Sequence, residues 1–426
     1  MTRVSLLKHL VLLLLCCPLV LIPPGQASTG MDITVHNEDI SVSRYAAQGE
    51  DLLIFFSSAE GSAKRTARVS AAVADLGIEV WHVDLADSLF LPAGTATQRS
   101  LDGKYVAGVI ATADRQTGKR ITVMARSYGA IPVLRGVRQW QVEQSTQGSE
   151  ANYLSGAILM SPELYSSIPD LGLDPVYAPV THATNIPIVL LQGGNRSNRW
   201  QLDTLLDHLQ QGGAMVYASV LPGVTGLFYD EDNAMATQQA LLDLPDRIKQ
   251  AARILARTPT PLLPVRLNSK QAAVSTPLDL TLKPFKGNPA PLPLDLFDVS
   301  GTRVTHNKYL GKITVINFWA SWCKPCVEEI PSLNRLREKM KDKPFELISV
   351  DYAEDRERIR QFMNEVDVDF PVLLDTDGKV SAQWNVLVFP STFVIGPDGK
   401  IVYGVKGGII WDDEDVVDQL TALLSR

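Results

Sequence analysis

Two cysteines separated by two residues, Cys323 and Cys326, lie where a strand-like run gives way to a helix-like segment. Residues 313–318 are mostly apolar and predict a buried strand, and residues 323–340 predict a helix. Cys323 therefore stands at a helix N-terminus, where free backbone N–H groups and the helix dipole stabilise a thiolate. The thiolate is the form that attacks a disulfide. The spacing predicts Cys323 as the nucleophile and Cys326, one turn later, as the thiol that resolves the mixed disulfide.

A C-x-x-C pair can also bind zinc or form a structural disulfide. A zinc site needs two further cysteine or histidine ligands. From residue 292 onwards the chain has no other cysteine and only one histidine, His306. A disulfide between residues so close in sequence closes too small a loop to stabilise a fold much. We therefore predict a redox pair, with no metal site and no cofactor.

The N-terminus has the pattern of an export signal. Arg3 and Lys8 supply positive charge, residues 10–22 form an apolar run that is short for a bilayer span, and small residues precede a predicted cleavage after Ala27. The alternative is an uncleaved membrane anchor, against which the prolines of this stretch argue. We expect the mature protein to have no stable membrane insertion.

Signal cleavage makes the cysteine count informative. Of the four encoded cysteines, Cys16 and Cys17 would leave with the signal. The mature chain would then keep only Cys323 and Cys326, although an exported protein meets an oxidising compartment. Its sulfur chemistry is thus confined to one place.

The length of 426 residues favours two domains and a linker. We predict a signal at 1–27, a first domain at 31–257, a proline-rich linker at 258–291 and a second domain at 292–426. In the first domain short apolar strands alternate with helices, which predicts a doubly wound parallel sheet. The net charge is −7 and no basic run occurs, so nucleic acid is not an expected partner.

The second domain resembles the thioredoxin-fold domains of TlpA/ResA-like exported thiol–disulfide oxidoreductases. The resemblance extends over nearly the whole segment and rests on residues 315–323, 326–331, 370–375, 389–395 and 398–402. The resemblance implies a thioredoxin-like fold for this domain. Together with the doubly wound sheet predicted for the first domain, the fold class of the chain is expected to be α/β.

The resemblance also implies roles for single residues. Pro390 is expected to be a cis-proline opposite Cys323, and the backbone of Phe389 is expected to pair with a bound substrate strand. Trp322 is expected to cover the site on the same substrate-binding side. Glu329 corresponds to an acid that serves as a proton carrier for the resolving thiol. The alternative for Glu329 is a solvated residue near the start of the helix.

At the level of the whole protein, the resemblance implies a periplasmic enzyme that exchanges disulfides with exported proteins. Apocytochrome c is one substrate of this kind, and a membrane thiol carrier is the expected electron donor. The family favours reduction, but the sequence leaves the direction open because such folds span roughly −270 to −120 mV.

The first domain resembles an α/β-hydrolase fold. Residues 121–130 read as a strand, a tight turn with Ser127 at its apex and a helix, which is the pattern of a nucleophile elbow. No acid stands at the expected turn in residues 192–197, and Thr225 or Gly226 stands near the place of the histidine. Two hypotheses follow. Either the domain is a non-catalytic binding module, or Ser127 belongs to a serine hydrolase that the thioredoxin-like domain regulates.

Overall fold

The structure is a computed structural model that describes residues 28–58, 61–147, 153–228, 234–267, 279–305 and 310–425. The predicted signal, with Cys16 and Cys17, lies outside the described residues, as does His306. Within the described part of the chain, no helix is long and apolar enough to cross a membrane.

In these residues an eight-stranded sheet organises the N-terminal unit, with the order β1-β2-β4-β3-β5-β6-β7-β8. β2 is antiparallel to both of its neighbours, and the six strands that follow it in this order, including β3, are parallel to one another. The strands are β1 Thr29–Val35, β2 Glu38–Tyr45, β3 Asp51–Phe56, β4 Glu79–Val83, β5 Arg120–Arg126, β6 Leu154–Met160, β7 Ile188–Gly193 and β8 Val216–Leu221.

Helices cover both faces of this sheet, because its inner parallel strands are buried on both sides, whereas the edge strand β8 is mostly exposed. One core includes buried residues of α4 and α5, and the other includes buried residues of α1 and α7. The helices are α1 Ala63–Asp75, α2 Leu85–Ser88, α3 Thr95–Ser100, α4 Gly103–Thr117, α5 Ala130–Gln147, α6 Leu202–Gln211 and α7 Met235–Ala256.

A six-stranded sheet organises the C-terminal unit over the described residues, with the order β14-β13-β12-β15-β16-β9. β12, β13 and β14 are parallel, whereas β15, β16 and β9 add antiparallel pairs. The elements are β9 Lys283–Pro284, β10 Asp295–Phe297, β11 Arg303–Thr305, β12 Ile313–Trp319, α8 Lys324–Lys339, β13 Phe345–Tyr352, α9 Arg356–Glu365, β14 Val372–Asp375, α10 Lys379–Gln383, β15 Ser391–Ile395, β16 Ile401–Lys406 and α11 Glu414–Thr421.

The predicted mixed α/β class is confirmed: a large, mostly parallel sheet precedes a thioredoxin-like domain. The hydrolase-like character of the first sheet and the domain boundaries stay predictions. Within the predicted linker, β9 pairs with β16, so this part of the segment lies on the edge of the second sheet.

The two units contact each other through a loop of the N-terminal unit. Lys406, at the end of β16, donates to the carbonyl oxygens of Ile168 and Pro169 at 3.3 and 3.0 Å and pairs with Asp170 at 2.8 Å. The next residue, Leu171, packs against an apolar cluster of the C-terminal unit. The C-terminal sheet therefore packs directly against the N-terminal unit.

Candidate redox site

The two cysteines lie at the start of α8 and are joined as a disulfide, with their Cα atoms 5.2 Å apart. Cys323 is the N-cap residue, and Pro325 occupies the first turn, where a missing N–H costs nothing. Cys323 is 6% exposed and Cys326 is 1% exposed. The first sulfur is thus the more accessible of the two, as attack by Cys323 requires.

The Phe389–Pro390 peptide bond is cis, as the resemblance implies, and directly precedes β15. The Phe389 ring lies edge-on to Trp322, with ring centroids 5.9 Å apart. Gly407 donates its N–H to the Pro390 carbonyl oxygen at 2.7 Å. Gly407 has φ +97°, a conformation that glycine adopts without strain.

Glu329 is a buried carboxyl on the cysteine side of the sheet, and only 3% of the residue is exposed. Its two oxygens accept hydrogen bonds from Asn317 Nδ2 at 2.8 Å and Trp411 Nε1 at 3.1 Å. Asn317 also donates to the Thr392 hydroxyl at 2.9 Å, next to the cis-proline strand. The alternative of a solvated helix residue is therefore wrong.

Burial raises the pKa of Glu329 to about 7, although hydrogen bonds from Asn317, Trp411 and the Ile409 backbone act in the opposite direction. A carboxyl with such a pKa exchanges protons readily near neutral pH. Glu329 follows Cys326 by three residues on α8, so both side chains lie on the same helix face. Glu329 therefore lies one helical turn after the second cysteine.

A second acidic group supports the loop before Cys323. The Glu354 carboxylate accepts hydrogen bonds from the Ser321 backbone N–H at 2.6 Å and the Ser321 hydroxyl at 2.7 Å. Asp351 lies nearby, opposite Trp319 in the sheet register, and is completely buried. Burial raises the pKa of Asp351 well above its ordinary value, and the charges of Glu354 and Asp375 add to this effect.

Replacing Asp351 by asparagine is expected to stabilise the protein at alkaline pH. The folded pKa of Asp351 is raised above its unfolded value, so wild-type stability falls as pH rises from the unfolded pKa towards the folded one. Asparagine does not ionise, and the variant should gain about 1–3 kcal/mol in free energy of unfolding at pH 8. Denaturant titration should show a smaller difference at pH 5. An equal difference at both pH values would contradict a buried, neutral Asp351.

The structure brings Cys323, Cys326, Trp322 and Phe389 into one apolar cluster. Glu329 is joined to this cluster by its hydrogen bond from Trp411. Sequence reasoning missed three residues that support this cluster: Trp411, Glu354 and Asp351. Trp411 is separated from a Gly-Gly pair by Ile409 and Ile410, and Glu354 lies in an acidic stretch, but neither signal specifies a contact.

The turn around Ser127 has the geometry expected of a nucleophile elbow. Ser127 follows β5 directly, has φ +48° and leads through a short 3-10 turn into α5. A cavity of only about 30 Å³ adjoins it, and its described lining includes Thr225 but no histidine, aspartate or glutamate. Ligand pockets are typically about 300–1,000 Å³. The histidine His82 hydrogen-bonds a different serine: its Nε2 lies 2.7 Å from the Ser57 hydroxyl oxygen.

We expect no labelling of Ser127 by a fluorophosphonate probe, because the described lining of the adjoining cavity contains no histidine, aspartate or glutamate and leaves little space for an acyl group. Mass spectrometry of the treated chain measures this, with Ser127→Ala and Ser57→Ala as matched controls. Stoichiometric labelling that disappears only in Ser127→Ala would favour the serine hydrolase hypothesis.

Comparison with known proteins places the C-terminal unit in a defined class. Residues 286–404 match the AhpC/TSA family. The thiol-disulfide oxidoreductase ResA of Bacillus thuringiensis subsp. konkukian is 36% identical over 129 residues, which are 30% of this chain and 71% of that protein. ResA of Bacillus subtilis is 37% identical over 112 residues, 26% of this chain and 63% of that protein. A thioredoxin-family thiol:disulfide interchange protein from Chlorobium tepidum is 23% identical, with 32% of this chain and 97% of that chain covered and a TM-score of 0.28.

The thioredoxin-like sheet and the C-x-x-C pair at a helix N-terminus define a thiol–disulfide oxidoreductase. The chain belongs to the family of ResA-like thiol-disulfide oxidoreductases. This membership rests on the C-terminal unit, since the family match begins at residue 286.

Proposed function

We propose that this protein reduces disulfides of exported proteins through Cys323 and Cys326. The observation that carries the proposal is the pairing of a helix-capping cysteine with a buried acid whose pKa is about 7. Cys323 is the more exposed of the two cysteines, at 6% against 1%, and Glu329 follows Cys326 by one turn of α8.

The reaction proceeds by two exchanges. The Cys323 thiolate attacks one sulfur of the substrate disulfide, forming a mixed disulfide and releasing the other substrate sulfur as a thiolate. Cys326 then loses its proton to Glu329 and attacks Cys323. The Cys323–Cys326 disulfide forms, the second substrate sulfur leaves as a thiolate, and both substrate thiolates are protonated. The substrate has gained two electrons.

A thiol donor must then reduce the Cys323–Cys326 disulfide, and we assign this role to a membrane thiol carrier. The N-terminal sequence supports a periplasmic location after cleavage at Ala27. Exported cysteine proteins such as apocytochrome c are the proposed substrates. The reverse reaction, disulfide formation, uses the same residues and is selected only by the potentials of the partners.

We propose that the mature chain is divided into a hydrolase-like domain at 31–257, a linker at 258–291 and the redox domain at 292–426. The first of these serves as a non-catalytic binding module. The small cavity beside Ser127 supports the absence of catalysis.

The proposed function is tested by insulin disulfide reduction with the purified full chain. Turnover that requires Cys323 supports it, and turnover that persists without Cys323 overturns it. Mixed disulfides captured by Cys326→Ser in the periplasm would identify the physiological substrates.

A further inference from the structure

The turn after β7 in the N-terminal unit binds two loops of the redox domain. The buried Ser197 hydroxyl donates to the Leu387 carbonyl oxygen at 2.7 Å, and Leu387 lies two residues before Phe389. Asn195 Nδ2 donates to the carbonyl oxygen of Ala353, which directly follows β13, at 3.0 Å. One turn of the N-terminal unit therefore joins the loop before the cis-proline to the loop after β13.

This turn is itself fixed to its own unit. The Asn195 backbone N–H donates to the Val224 carbonyl oxygen at 2.9 Å. Arg196 pairs with Glu163 at 2.5 Å, and the two side chains are only 13% and 10% exposed. Because the turn is held on both sides, it can act as a firm support for the two loops that it binds.

The two loops have a backbone conformation that needs such support. Ala353 has φ +58° and Asn385 has φ +53°, and over residues 279–305 and 310–425 these are the only non-glycine residues with positive φ. The left-handed region is unfavourable for a residue with a Cβ and persists where the surrounding structure imposes it. Asn385, two residues before Leu387, donates from Nδ2 to Asp174 Oδ1 of the N-terminal unit at 3.2 Å. Both of these positions are thus bound by the N-terminal unit.

Phe389 lies between the two supported loops. Its backbone follows Leu387 by two residues, and its ring packs against the ring of Tyr352, with centroids 4.9 Å apart and planes at 39°. Tyr352 directly precedes Ala353. The Phe389 ring also lies against Trp322, which directly precedes the nucleophilic cysteine. A shift of either loop would therefore move Phe389 relative to that cysteine.

We propose that Ser197 is a positioning residue for disulfide exchange: its hydroxyl fixes the loop before Phe389 in the position that receives a polypeptide substrate. Asn195 fixes the facing loop in the same way. The inference rests on the proposed function, in which the Phe389 backbone pairs with a substrate strand. A loop that is already fixed binds a polypeptide with a smaller ordering cost than a mobile one. A small disulfide that needs no such pairing should not depend on Ser197.

On this assignment the turn has a role different from the one that a hydrolase would give it. Residues 192–197 hold no acid for a catalytic triad. Two of their polar side chains, Asn195 and Ser197, bind the redox domain. The N-terminal unit thereby takes part in disulfide exchange without contacting the reacting sulfurs.

The test uses the full chain in the Cys326→Ser background, where the first exchange stops at the mixed disulfide. The rate constant for reaction of reduced Cys323 is measured with insulin, by mass spectrometry after an acid quench, and with the small aromatic disulfide DTNB, by absorbance. Ser197→Ala removes only the hydroxyl. We expect about three- to tenfold slower reaction with insulin, the factor for one net hydrogen bond, and an unchanged rate with DTNB.

Two further variants complete the test. Asn195→Ala should also slow only the insulin reaction, and because Asn195 is half-buried, water can solvate the vacated acceptor and the fold is kept. Thr184→Val is the matched control. Thr184 is a buried residue of the N-terminal unit whose hydroxyl donates to the Val180 carbonyl oxygen at 2.7 Å, within its own unit. The control should leave both rates unchanged.

The inference is overturned if Ser197→Ala leaves the insulin rate unchanged or slows both reactions equally. If Ser197→Ala does not fold, Asn195→Ala decides by the same criterion. A selective loss in Thr184→Val would also overturn the inference. A parent chain that reacts with DTNB but never with insulin would instead refute the proposed function, and the inference with it.

Discussion

Cys323→Ser is expected to abolish insulin reduction, with a loss of about a thousandfold or more. A serine hydroxyl neither ionises at neutral pH nor forms a disulfide, so the first exchange cannot begin. Cys326 cannot replace Cys323 as the nucleophile, because Cys326 is only 1% exposed and does not occupy the helix-capping position. The rate is measured from the turbidity of the precipitating insulin chains, with dithiothreitol as the reductant that regenerates the dithiol.

Cys326→Ser is the matched control for this experiment. It also stops turnover, but it leaves the attacking sulfur intact and should accumulate a mixed disulfide that survives non-reducing electrophoresis. Cys323→Ser should accumulate none. Equal trapping by both variants would show that the roles of the two sulfurs are not distinct, contrary to the difference in their exposure.

Glu329→Gln is expected to slow the resolving exchange by about a hundredfold, a typical loss for a general acid–base group. The pKa of Glu329 is about 7, so the carboxylate that accepts the Cys326 proton predominates above that pH. In the wild type the resolving rate should therefore rise with pH through about 7. The variant should lose this rise. Quenched-flow measurement of mixed-disulfide decay between pH 5.5 and 8.5 tests both expectations.

The neighbouring acid provides a control for Glu329. Glu328 is on the same helix, but its side chain is 65% exposed. Glu328→Gln should leave the rate of mixed-disulfide decay and its pH profile unchanged. If Glu329→Gln kept the wild-type pH profile, or if Glu328→Gln changed it equally, Glu329 would not be the proton acceptor.

The sequence was sufficient for the features that depend on neighbouring residues. The run at residues 313–318 predicted β12, and the predicted helix at 323–340 agrees with α8 to within one residue at each end. The spacing of Cys323 and Cys326 predicted a pair at a strand-to-helix junction, which the structure has. These predictions succeeded because one segment of chain determines each of them.

Features that depend on distant segments could not be predicted in the same way. The bond from Trp411 to Glu329 joins residues 82 positions apart, and the bond from Ser197 to Leu387 joins residues 190 positions apart. No local pattern marks such partners, because each residue is ordinary in its own segment. The resemblance implied a role for Glu329 but not the tryptophan that binds it.

The contact made by Leu171 has a practical consequence. This side chain of the N-terminal unit packs into an apolar cluster of the redox domain, and its neighbours Ile168, Pro169 and Asp170 bind Lys406. A recombinant fragment that begins after the linker would lose these partners and expose part of its interior. Potentials measured on such a truncated piece would therefore describe an altered enzyme, and calorimetry of the intact chain should show the two halves melting together.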